Sequence, residues 1–177
     1  MNELELKFPD KNDKEIIEEY IQEHYKNKEY KLSGIGIGNK RFEEFNKWLE
    51  KIQNDASEEK LEDGRVPATL YMAIRKSDNK LIGTIQIRHK LNESLLVHGG
   101  HIGYGVRPSE RRKGYAKQML QMALEKCREL KIEKVLITCD KDNIGSSKTI
   151  LANGGKLENE LEHKGVLIQR YWITILG

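Results

Sequence analysis

Gly103-Tyr-Gly-Val-Arg-Pro-Ser-Glu-Arg-Arg-Lys-Gly-Tyr-Ala116 is the stretch that decides how this chain is read. Residues 100–107 (GHIGYGVR) have the apolar spacing of a strand, and Pro108 ends it. A long helix is expected from there to about Leu130. Ala116, Met119, Leu120, Ala123, Leu124, Cys127 and Leu130 recur at helical period on one face. The short turn between strand and helix is basic and holds a glycine. The first turn of a helix leaves backbone N–H groups without partners, and with the helix dipole they attract anions. Gly114 and Ala116 keep side chains out of the way. Arg111, Arg112 and Lys113 oppose the dipole unless an anion sits beside them. A pyrophosphate suits such a turn.

Outward from this stretch the chain alternates between strand and helix patterns. Residues 3–8 alternate apolar and charged, as in a half-buried strand. A helix capped by Asn12 or Asp13 follows, with Ile16, Ile17, Tyr20, Ile21 and His24 or Tyr25 on its apolar face. Residues 33–39 (SGIGIGN) form a loop. Its glycines lack the spacing and the strand-turn-helix frame of a dinucleotide site, so a flexible loop is expected. Phe42, Phe45, Trp48, Leu49 and Ile52 mark a second helix, and residues 54–66 are a polar surface loop. Residues 68–75 and 80–89 read as a hairpin turned by Ser77-Asp78-Asn79. Residues 90–99 connect it to the strand at 100–107. After the long helix come a strand at 134–140, a helix from Asn143 to Asn153-Gly154-Gly155, and strands at 156–162 and 166–175 around His163-Lys164-Gly165. Trp48 and Trp172 read as core or partly buried residues. The order predicts an α/β (α+β) fold with one mixed sheet and helices on both faces, in a single domain spanning residues 1–177.

Composition narrows the function classes. The 177 residues carry 31 Lys+Arg against 28 Asp+Glu, without the basic stripe and interleaved aromatics of a nucleic-acid binder. No apolar run reaches the ~18 residues of a membrane span, and the N-terminus lacks the apolar core of a signal peptide. The two cysteines, Cys127 and Cys139, lack metal-type spacing and read as buried free thiols. A cytoplasmic protein without metal, nucleic-acid or membrane partners is expected; a homodimer is left open.

Arg111-x-x-Gly114-x-Ala116 resembles the (Gln/Arg)-x-x-Gly-x-(Gly/Ala) signature of the GNAT superfamily of N-acetyltransferases, and the element order matches that superfamily from end to end. The resemblance implies a mostly antiparallel central sheet. It implies acetyl-CoA as co-substrate, its pyrophosphate on the backbone amides of residues 111–116. Its pantetheine arm would pair with Tyr104, Gly105 and Val106. Asn143 and Ser146, in Asn143-Ile-Gly-Ser146, match the second cofactor segment. The implied reaction is direct attack of an amine on the thioester, with an acceptor the sequence does not identify. The family often places a tyrosine seven residues after the asparagine, as the acid for the leaving thiolate. Ile150 stands there, and Gly155 replaces an aromatic after the helix, so either another group acts as acid or the thiolate leaves without one. A non-catalytic acyl-CoA sensor is the alternative. For the base, His101 is the first choice because it lies in the strand, with His98, Glu93 or a water as the alternatives.

Overall fold

The fold was analysed in a computed structural model, which describes residues 2–175. Its strands are β1 (Leu4–Lys7), β2 (Ala68–Arg75), β3 (Lys80–Arg88), β4 (Ile102–Val106), β5 (Lys134–Asp140), β6 (Lys156–His163) and β7 (Val166–Thr174). Its helices are α1 (Lys14–Lys26), α2 (Phe45–Asp55), α3 (Glu93–Val97), α4 (Tyr115–Glu129) and α5 (Ile144–Ala152).

β3 is buried along almost its whole length, because helices cover both of its faces. Ile82, Ile85 and Ile87 enter one core with Met119, Leu120, Ala123 and Cys127 of α4, and with Val135 and Ile137 of β5. Leu81 joins Leu70 and Met72 of β2 in the other core, beneath Ile17, Tyr20 and Ile21 of α1 and Trp48 and Ile52 of α2. An irregularity in the β2–β3 register, with Ile82 as the extra residue, breaks the alternation and lets Ile82 share a core with Ile85 and Ile87.

All the paired strands are antiparallel, in two sheets of order β1-β2-β3-β4 and β5-β7-β6. The expected sheet is therefore divided. Its halves meet at the bridge Gly100↔Ile137. His101 N donates to Leu136 O at 2.7 Å, and Gly99 N donates to Thr138 Oγ1 at 2.8 Å. From Ile102 onward β4 has no strand on its outer side among the described residues, so the halves open into a split.

Several boundaries differ from the sequence reading. Asp10, not Asn12 or Asp13, begins the first helical segment: it caps a 3-10 turn at Lys11–Asp13 that leads into α1. Residues 93–97 of the expected connection form α3, capped by the Asn92 side chain. The long helix starts at Tyr115, since residues 108–110 are a separate 3-10 turn. The SGIGIGN loop is fastened down. Ile35 is fully buried, and its carbonyl accepts from Trp48 Nε1 at 2.8 Å. Cys127 and Cys139 are buried free thiols, as expected, and burial pushes Cys127 up to about 12.

Candidate functional site

The split between the half-sheets is the floor of a cleft of about 520 Å³. One side is β4 at Tyr104, Gly105 and Val106. The signature turn and the start of α4 supply Arg111, Arg112, Gly114, Tyr115, Ala116 and Lys117. Asn143, Gly145, Ser146 and Thr149 come from the start of α5, and the end of α1 with the chain after it adds His24, Glu29, Lys31, Leu32 and Ser33. Every residue expected to contact a cofactor is thus in one cleft, except Lys113.

Gly114 is the residue immediately before α4, with φ +86°, a left-handed conformation that only glycine adopts cheaply. Its role is therefore to shape the turn as well as to leave space. Among the described residues no side chain caps α4, so the first amides of the helix keep their donors for a ligand. At α5 the Asn143 side chain accepts from Ser146 N at 3.1 Å, which fixes both residues at the cleft wall.

The three signature cations do not act alike. Arg111 forks onto Glu29 with two bonds of 2.7 Å, and its Nε donates to Val106 O at 2.9 Å. That arginine holds Glu29 down at about 2. Lys113 pairs with Glu110, itself a cleft residue, at 3.1 Å but is not part of the cleft lining. Burial pushes Glu110 up, but Arg75 and Lys113 outweigh it and bring the carboxyl down to about 2. The expectation that all three cations need an external anion is corrected: two have carboxylates of this chain. Arg112, Lys31 and Lys117 line the cleft with no ion pair among the described residues. Lys31 and Lys117 were not expected. Lys31 is 80 positions from Arg111 in sequence, and no local motif links them.

His101 is corrected too. It is buried beyond the cleft lining, at the junction of the half-sheets. Its Nδ1 accepts from Leu136 N at 2.9 Å. Burial, then Arg88, lowers it to about 4, and the lone pair that would take a proton is already occupied by the Leu136 amide. The alternatives fare no better: His98 stacks on His163 at 4.9 Å, and Glu93 is exposed on α3, both outside the cleft lining. The imidazole in the cleft wall is His24, which sequence periodicity places merely on a buried helix face. Its Nδ1 meets Glu29 at 2.9 Å, and its Nε2 is buried without a partner among the described residues. Burial lowers its pKa, against the pull of Glu29.

Ile150 is fully buried under β5 and packs against Gly155, where an added Cβ would stand 2.4 Å from Ile150 Cγ2. The hydroxyl facing the α5 wall belongs to Tyr104, 2.7 Å from Ser146 Oγ. Burial pushes that phenol up to about 12.

Residues 4–156 match the family described as an acetyltransferase (GNAT) domain. Among curated proteins none matches the sequence. Among solved structures, the ribosomal-protein-S5-alanine acetyltransferase of Vibrio fischeri superposes with a TM-score of 0.74 at 14% identity, covering 98% of this chain and 94% of that one. The microcin C7 self-immunity acetyltransferase MccE, in complex with acetyl-CoA and AMP, gives 0.70 at 19% identity, covering 99% and 94%. A GNAT-family acetyltransferase of Bacillus anthracis gives 0.66 at 22% identity, covering 98% and 96%.

Proposed function

The chain belongs to the GNAT acetyltransferase family, and from that premise we propose that it moves the acetyl group of acetyl-CoA to a primary amine by direct attack. The observation that carries this reading is the meeting, in one cleft, of the unpaired edge of β4 with the uncapped start of α4. The residues fit the co-substrate. The amides of the turn ending at Ala116 would hold the pyrophosphate, assisted by Arg112, Lys31 and Lys117. The backbone at Tyr104, Gly105 and Val106 would hold the arm. Acetyl-CoA supplies an activated thioester; the chain supplies position and a proton. Tyr104, which burial keeps protonated, hydrogen-bonds the departing sulfur through Oη and passes its proton on as the sulfur leaves, taking one back from solvent, in place of a tyrosine at position 150. The amine loses its proton to water, since His101 spends its Nδ1 on Leu136.

The test is thiol release from acetyl-CoA across a panel of amines, with calorimetry on the wild type and on Gly114→Glu. Wild-type binding and turnover are expected, with binding lost in the folded variant. Wild-type affinity in Gly114→Glu would overturn the assignment of the turn. Binding without turnover on any amine would favour a sensor.

A further inference from the structure

Arg88 ends β3, and its backbone N–H donates to His101 O at 2.7 Å, next to the point where the half-sheets part. An arm laid along β4 from the signature turn would run from Val106 toward Gly103, and so toward Arg88. The guanidinium is half-buried. Nη1 donates to the carbonyls of Gly99 and Gly100, both at 3.1 Å. Nε and Nη2 have no partner, and no carboxylate lies within ion-pair distance, among the described residues. Arg107, the other buried arginine next to β4, has Glu19 and Glu23. Burial lowers the pKa of Arg88, and Arg65 lowers it further, so its charge carries an uncompensated cost.

The walls around this group are backbone. A Cβ on Gly103 would stand 3.5 Å from Nη2, and one on Gly99 would stand 3.7 Å from Nη1. Nη1 is anchored, so the edge formed by Nε and Nη2 is held in one orientation. Two parallel N–H groups on one edge match the two oxygens of a carboxylate, as a lysine could not.

We infer that Arg88 is an anion subsite for the acceptor, so that the amine acetylated by this protein also carries a carboxylate. This rests on the acetyltransferase reading and narrows its substrate class. The anion would seat on the Nε–Nη2 edge and leave the amine of the same molecule beside the arm on β4.

The experiment compares free-acid and primary-amide forms of the same amines, namely amino acids, dipeptides and ω-amino acids, in the wild type, Arg88→Gln and Arg88→Lys. The acids are expected to exceed their amides in kcat/KM by at least about tenfold in the wild type, since a charge-assisted bidentate contact is lost in the amide. Arg88→Gln should abolish that preference with unchanged acetyl-CoA affinity, and Arg88→Lys should keep part of it. In parallel, N-acetylated acids and amides are titrated against the CoA-loaded protein by thermal shift, and only the acids should stabilise it. Equal handling of acids and amides by the wild type, in both turnover and thermal shift, would overturn the subsite even if Arg88→Gln failed to fold. Retained preference in Arg88→Gln would do the same. Acetyl-CoA binding, measured alone, reports on the acetyltransferase reading separately.

Discussion

A histidine in the strand beside a cleft invites a catalytic role, but at His101 the neighbouring backbone has already taken the lone pair. The Leu136 amide donates to Nδ1, so protonating that atom breaks a buried bond and places a charge near Arg88. The folded pKa lies near 4, below its ordinary value of 6.5. Between those values the unfolded chain binds the proton and the folded chain does not. Stability is therefore full above about pH 6.5 and falls as pH drops toward 4, by about 2 kcal/mol between pH 7 and pH 5 from this group alone. Urea unfolding at the two pH values should show that loss, and His101→Asn, which keeps an acceptor for Leu136, should remove most of it. An unchanged pH dependence in the variant would mean that the imidazole is not the sensor. Tyr104 makes the opposite case under the proposed reaction, in which its hydroxyl serves the departing sulfur. Tyr104→Phe should lower kcat by on the order of 10²-fold with acetyl-CoA affinity nearly unchanged. A wild-type kcat would show that the thiolate leaves unaided.

At the scale of elements, α5 and the loop after α1 show how packing decides which side chains reach the cleft. α5 turns Ser146 and Thr149 to the cleft and buries Ile150 against β5 and Gly155. A tyrosine at position 150 would have to displace that packing before its hydroxyl reached anything. Ile150→Tyr is expected to cost roughly 1–3 kcal/mol by overpacking and to leave kcat no higher, as urea unfolding and steady-state rates would show. The SGIGIGN loop lies on β4 through Gly34. That residue has φ +75°, and an added Cβ would meet Tyr104 Cα at 2.6 Å and Thr84 O at 2.7 Å. Both neighbours are backbone and cannot rotate away. Gly34→Ala should therefore destabilise the fold by roughly 2–4 kcal/mol, combining left-handed strain with the clash. A loss below 1 kcal/mol would show that the loop lifts off β4 easily.

At the scale of the whole molecule, the core beneath α4 and, near residue 100, a bridge and a few hydrogen bonds join the half-sheets, and the cleft opens beyond them. A ligand lying along the split would touch both halves and bind only the folded state. Acetyl-CoA at 100 times its Kd should raise stability by about 2.7 kcal/mol, with free CoA doing nearly as much, and hydrogen exchange should slow in β4 and residues 29–33. A melting temperature indifferent to both ligands would count against the cleft as their site. The sequence by itself determined what is local. Alternation and helical period placed the strands and major helices, because burial of one face writes a short-range pattern. The signature turn was legible because its chemistry lies within six consecutive residues. Tertiary structure decided everything that depends on partners far apart in the chain. Glu29 takes Arg111 from 82 positions away, and Leu136 occupies His101 from 35 positions away. The side of the strand that Arg88 shares with Gly99 and Gly103 is fixed only when β3 and β4 pair and β4 meets β5. Which charge is neutralised and which is left for a ligand is a sum over neighbours in space, and sequence spacing does not carry that sum.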